Sequence, residues 1–425
     1  MIKKALSFLV FLSAFIYAHL AFFSNASIKD FTIVSISLSA VYLVLTYIII
    51  KYPVSPKKVY AFLIAGLLFR LMLIDTGPIA SDDIYRYIWD GKVFSAGINP
   101  YSYNADDPVL EEFHTKDLPA KINHSNYKSI YPPAAQVFFL LAHLLGGDSF
   151  LGIKILLLIS EILTVIFICL SLKLLNKPLS LSLIYFLSPL PILQFMCDAH
   201  IDGLGVMFLS GFIYLYLKNK KNTAFGFLGF SIISKLISGM FIPLLFFCEK
   251  GYKRLLSVLI PAGILVISYA LFMLGNSDPF DFIVKFAGHW MYNGSVFKVL
   301  HFVTGKHAAA RIICAGIFLV IWLFISLRKG NFFEKSYYLI LSFFLTASTV
   351  YPWYLSWILL FLPFYFRWSG VLWVALVSLV NIDFILFFET GIWRQNPLIL
   401  YAEYVPVFVM LGFELRKLYL KSKAI

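Results

Sequence analysis

Apolar residues in this chain run in uninterrupted blocks of about 18 to 22, and a helix of that length crosses a hydrocarbon layer of about 30 Å. Three such blocks, near 5–23, 31–50 and 59–75, open the sequence. Others, several of them shorter, lie near 150–172, 178–196, 200–217, 255–274, 308–327, 337–349, 354–366, 369–388 and 398–415. None carries the two-residue alternation of a barrel strand, and within lipid a backbone N–H or C=O finds its partner only in its own helix or in a closed barrel. The pattern predicts an all-α, polytopic membrane bundle.

The basic residues between blocks orient them. Lysine and arginine gather on the cytoplasmic side, so Lys51, Lys57 and Lys58 place the first cluster, and with it the N-terminus, inside. The chain then emerges after Ile74 into its longest polar insertion, 75–129, and long loops in compact proteins are usually functional. The sidedness of every later span depends on whether the short apolar stretch ending at Leu145 crosses or lies along the interface. A crossing would put Lys173, Lys177, Lys218, Lys220 and Lys221 outside, whereas an interfacial helix puts all five inside, as the charge rule prefers. The stretch 223–248 then reads as two half-crossings with Lys235 at the tip, which keeps Lys250, Lys253 and Arg254 inside. About 12–14 transmembrane helices result, with both termini cytoplasmic. The chain is expected to form one transmembrane domain, 1–425, with an external loop at 75–148 bearing interfacial helices and a later one at 275–307. The polar patches 81–101, 198–202, 288–295, 351–354 and 389–396 all fall outside, as do Asn-x-Ser sequons beginning at Asn25, Asn123 and Asn293.

Composition sharpens this. Of 425 residues, 60% are hydrophobic and 13% charged, where a soluble domain carries about a quarter charged. The net charge of +13 sits in short clusters between apolar blocks, so it reports orientation and no nucleic-acid partner is expected. Cys169, Cys197, Cys248 and Cys314 stand singly, without disulfide or zinc spacing. Lys3 and Lys4 before the first block imitate a signal peptide, but the block exceeds a normal signal core and reads as a retained span.

Chemistry gathers at Ser81-Asp82-Asp83-Ile84-Tyr85-Arg86-Tyr87-Ile88-Trp89-Asp90-Gly91, followed by Gly97-Ile98-Asn99-Pro100-Tyr101. Ser81 is placed to cap a helix that Asn99-Pro100 would stop. Asp83 and Arg86, three apart, share a helical face beside a membrane span. A carboxylate and a guanidinium at headgroup level suit a base and a phosphate binder, or simply an internal ion pair on an interfacial helix. Lys235 stands amid an apolar stretch, where a lysine costs about 2.5 to 3.5 kcal/mol at a helix centre. Either something compensates it or it snorkels to the interface.

The pattern S-D-D-x-Y-R-Y-x-W-D-G with G-x-N-P-Y resembles the first external loop of GT-C integral membrane glycosyltransferases, notably bacterial polyprenyl-phosphate-mannose-dependent mannosyltransferases. Tyr131-Pro132-Pro133 resembles the Y-P-P of their interfacial helix, His200-x-Asp202 their H-x-D segment, Lys235 their lysine between short helices, and Tyr351-Pro352-Trp353-Tyr354 their Y-P-W-Y element. The resemblance implies a GT-C-like bundle and hexosyl transfer, mannose-like, from a polyprenyl-phosphate donor to a glycan or glycolipid acceptor at the outer face of the plasma (inner) membrane. It implies a catalytic carboxylate at Asp83, with Asp82 as competitor. Donor phosphate or sugar contacts would come from Arg86, Lys235, His200, Asp202, Tyr87, Tyr131, Tyr351 and Trp353. His200 and Asp202 would equally serve to cap a helix, and the aromatic pair to form an interfacial belt. His289 lies in a later outer loop where sugar contacts occur. No cofactor and no metal is expected. The competing reading is a transporter or lipid-linked-sugar flippase, which would line a midplane path with charges; here Glu161 and Arg311 are the main intramembrane exceptions.

Overall fold

The computed structural model describes residues 2–23, 27–274, 277–392 and 394–423. Asn25 and Ala26 of the first sequon, and Trp393 of the last polar patch, lie outside them. Regular structure among the described residues is helical. Among the described residues, seven helices are long and apolar enough to cross a bilayer: Lys4–Phe23, Ile28–Lys51, Phe150–Leu174, Tyr252–Phe272, His307–Leu327, Trp368–Thr390 and Pro397–Leu420. The pair Leu179–Phe186 and Pro189–Met196, bent by 46°, makes an eighth if the two are counted as one span. The bend falls where Pro189 removes an N–H and restricts Ser188. Shorter apolar helices are Pro133–Gly146, Asp202–Leu217 and Leu236–Cys248. The expected block at 354–366 is realised only as the short pieces Pro352–Leu355 and Ser356–Leu359 followed by turns.

The chain divides into two compact units, one of residues 1–72, 177–192 and 291–425 and the other of residues 73–176 and 193–290. In the first, helix Ile28–Lys51 starts at Ser27, whose hydroxyl accepts the Asp30 N–H at 3.1 Å. It packs on helices Ile2–Ala18 and Trp368–Leu376 and buries Phe31, Val34, Leu38, Tyr42, Leu45 and Ile49 at three- and four-residue spacing. Arg70 is fully buried there, donating to the Gly66 and Phe186 carbonyls at 2.9 Å and lying 3.9 Å over the Phe186 ring. Those contacts answer the cost of a charge withdrawn from water.

The second unit positions the chemistry. Helix Asp202–Leu217 packs between Phe150–Leu174 and Lys221–Ser234, and the last of these against Tyr252–Phe272. Leu255, Leu259, Val266 and Leu271 of Tyr252–Phe272 are exposed, an apolar stripe suited to lipid. Helix Asp83–Ser95 lies on Pro133–Gly146, which in turn rests on Phe150–Leu174. Close approach at Gly91 permits the first contact: a Cβ there would stand 2.3 Å from the Phe139 carbonyl oxygen.

Two details of this helix differ from expectation. Asp82, not Ser81, occupies the N-cap position, while the Ser81 hydroxyl accepts the Asp83 N–H at 3.3 Å. The helix also ends before Asn99-Pro100. Gly97 adopts φ +81°, its N–H reaches the Phe94 carbonyl at 3.0 Å, and the Ile98 N–H reaches Val93 at 3.1 Å. This pair of bonds is the glycine-terminated Schellman closure, so the stop signal is Gly97.

Candidate active site

Helix Asp83–Ser95 is aimed from within by a buried ion pair. Arg86 Nε stands 2.9 Å from Asp90 Oδ1, and Arg86 also donates to the Tyr127 carbonyl at 2.9 Å. Asp90 accepts further from Ser129 and from Gln136 Nε2 at 3.1 Å. Burial raises the Asp90 carboxyl above the ordinary carboxylate range, with Arg86, Ser129 and Gln136 opposing it. Arg86 is thus committed to its i+4 partner, one turn inward, in place of the i+3 pairing with Asp83 that the spacing allowed. The network ties the helix to Pro133–Gly146 through Gln136 and to the loop at 127–131.

Asp83 therefore points elsewhere. Its Oδ2 lies 3.5 Å from Nδ1 of the fully buried His200. Burial works against its charge, but the His200 hydrogen bond and charge, the Lys235 charge and a hydrogen bond from Tyr131 together hold its carboxyl below the usual range. Tyr87 packs edge-on to Tyr131, with ring centroids 4.9 Å apart, and stacks on Phe139 at 4.6 Å. Burial, followed by the Asp83 charge, raises the Tyr87 hydroxyl well above its ordinary value.

Asp202 and Lys235 complete the cluster. Lys235 sits in extended backbone, φ −156° and ψ 120°, between helix Lys221–Ser234 and the turn Leu236–Met240. Its Nζ is 2.8 Å from Asp202 Oδ2, a carboxylate wholly buried at the first turn of its helix. The break is stitched by Ser231, which donates to the Gly205 carbonyl at 2.8 Å and pairs with Ser238 at 2.6 Å. A lysine in an apolar hairpin is answered here by a carboxylate. Asp198, three residues before the cap position Ile201, accepts the Ile79 and Ala80 N–H groups at 2.8 and 2.9 Å through Oδ1. That bond fixes the strip leading to Asp82 against the strip leading to His200.

At the open edge, Asp82 is exposed and bonded to Asn123 Nδ2 at 3.1 Å. Desolvation of its carboxyl by surrounding protein, then the Asp83 charge, pushes it up to about 6. His124, in the left-handed region at φ 54°, packs edge to face with Trp290 at 4.8 Å; desolvation lowers its imidazole below the ordinary value, with the Asp83 charge opposing. Sequence reasoning missed Asn123 and His124 as site residues; within the sequence their only mark was the sequon. His289 is exposed, its Nδ1 directed to the Lys285 carbonyl at 3.0 Å. Tyr351 and Trp353 belong to the first unit, where they stack on each other at 4.5 Å and Tyr351 stacks on Tyr292 at 4.6 Å. The second unit thus assembles Asp83, Tyr87, Tyr131, His200, Asp202 and Lys235, with Asp82 at the rim.

Among solved structures, the fold is similar to the crystal structure of ArnT from Cupriavidus metallidurans bound to undecaprenyl phosphate, at 16% identity and a TM-score of 0.49, covering 87% of this chain and 73% of that one. None of the curated proteins matches the chain. Residues 10–249 match the family model described as alpha-(1->6)-mannopyranosyltransferase, N-terminal domain. That match takes in more than half of the chain, including the whole Asp83, His200 and Lys235 constellation, and the chain belongs to the alpha-(1->6)-mannopyranosyltransferase family.

Proposed function

We propose that the chain moves a mannose-like hexose from a polyprenyl-phosphate sugar donor to a hydroxyl of a glycan or glycolipid acceptor, on the non-cytoplasmic face of the membrane, with Asp83 as general base. Family membership makes the chain a glycosyltransferase. The observation that carries the finer reading is Asp83 held ionised by His200, Tyr131 and the Lys235 charge, with that lysine seated at a break between apolar helices. A donor whose phosphate carries a long hydrocarbon tail suits a cation at such a position.

The acceptor oxygen attacks the anomeric carbon as the bond from that carbon to the phosphate oxygen breaks. Asp83 takes the hydroxyl proton, and the departing electron pair remains on the phosphate, where the Lys235 ammonium offsets its charge. Asp202 orients Lys235, and His200 and Tyr131 orient Asp83. One displacement inverts the anomeric centre, so an α-linked product requires a β-linked donor. Arg86 serves this scheme by bracing the helix that presents Asp83.

Purified protein in lipid nanodiscs, assayed with a panel of polyprenyl-phosphate sugars, tests the reading. Asp83→Asn is expected to lower turnover by about 10²- to 10⁴-fold while donor binding persists. Lys235→Met is expected to weaken donor binding and turnover together. Full turnover in Asp83→Asn, or lipid translocation unaffected by it, would favour the flippase instead.

A further inference from the structure

The residues used so far form the buried flank of Asp83: His200 and Asp202 expose nothing, and Tyr131 and Lys235 close around them. The exposed flank is built by other groups. Asn123, solvent-accessible, is pinned by its bond to Asp82, which adjoins the base in sequence. His124 comes next, its left-handed backbone closed by the turn from the Tyr127 N–H to the His124 carbonyl at 3.1 Å. Trp290 stands against the His124 ring, its own ring packs on Phe286 at 5.3 Å, and its backbone N–H donates to the Phe286 carbonyl at 3.1 Å. The Lys285 ammonium lies 5.3 Å over the Tyr127 ring, joining the same two segments a second time.

We infer that Asp82, Asn123, His124 and Trp290 form the acceptor subsite, which takes the terminal hexopyranose of a glycan chain. This rests on the proposed transfer. In an in-line displacement the nucleophile enters opposite the leaving group, so with phosphate at Lys235 the acceptor must reach Asp83 from the flank away from that lysine. A pyranose offers two surfaces, a row of hydroxyls that both donate and accept, and a patch of C–H bonds. The carboxylate of Asp82 and amide of Asn123 are planar groups able to grip neighbouring hydroxyls, and an indole ring accommodates the C–H patch. Groups prepositioned by one another bind with less ordering cost. The reaction moves a sugar onto a 6-hydroxyl if it follows the family's linkage, and a primary hydroxyl projects from its ring far enough to meet Asp83 while the ring rests outside.

The test uses full-length protein in nanodiscs with a β-mannosyl polyprenyl phosphate donor and octyl α-mannoside as acceptor. Release of free mannose to water, abolished in Asp83→Asn, reads the transfer chemistry alone. Asn123→Ala and Trp290→Ala are each expected to raise the acceptor KM by at least about tenfold while the donor KM moves less than about twofold. Trp290→Phe, which keeps a ring, is expected to recover most of the acceptor KM, a rescue that separates sugar contact from a folding defect. Unchanged acceptor KM in the alanine variants overturns the subsite, as does a wild type that hydrolyses donor but never mannosylates the mannoside. A wild type that consumes no donor overturns the transfer reading beneath it.

Discussion

Asp82 and Asp83 are neighbours in sequence with opposed titration behaviour, the one pushed up to about 6 and the other held below the usual carboxylate range. Such divergence is what distinct roles for the two would require. With Asp83 as base, the rate of donor hydrolysis, which needs no acceptor sugar, is expected to stay level as pH falls from 7 to about 5, because a depressed carboxyl keeps its charge there. An inflection near 6 that disappears in Asp82→Asn would move the base to Asp82. That the stretches bearing the two aspartates, His200, Asp202 and Lys235 draw together was legible in the sequence, through the resemblance of their short motifs in matching order and, for Lys235, through its apolar surroundings. The partner of Arg86 was not. Positions i+3 and i+4 are equally near on a helix, and the choice fell to Asp90 because a buried carboxylate needs a paired charge, whereas Asp83 has His200. Asn123 was hidden for another reason: its partner lies 41 positions upstream, across a loop with no periodicity.

Helix Asp83–Ser95 reaches its place through a backbone-to-backbone approach at Gly91. Gly91→Ala is expected to cost about 1–3 kcal/mol through overpacking, read as a lowered Tm in a thermal-shift assay. It should also lower kcat, since Asp83 rides on the same helix; a variant with unchanged Tm and kcat would mean that the contact yields easily. Apolar blocks announced this unit's long helices to within a few residues, as with 150–172 against Phe150–Leu174. Ends were harder where two stop signals stood close together. Gly97 acted before Asn99-Pro100 because a left-handed residue closes a helix at once, whereas proline constrains only the residue ahead of it. The interruption at Lys235 was expected from charge placement, but its stitching by Ser231 and Ser238 was not, since small hydroxyls leave no periodic trace.

For the whole molecule, charge asymmetry and span length carry the proposed topology. Single cysteines placed at Glu112 and at Lys220, in a background lacking the native thiols, should separate: the first labelled by a membrane-impermeant maleimide in intact cells, the second only after permeabilisation. Equal labelling of both would invert the assignment. The grouping of residues 177–192 with the two chain ends was not readable, because it arises from packing across more than a hundred positions. One such long connection has a mechanical side. By holding two amides at 79 and 80 with a single oxygen, Asp198 latches the approach to Asp82 onto the approach to His200. The proposed base and the His200 imidazole are then expected to shift in concert, and hydrogen exchange at Ile79 and Ala80 becomes a gauge of how often the pair is unlatched; Asp198→Ala should release both amides at once.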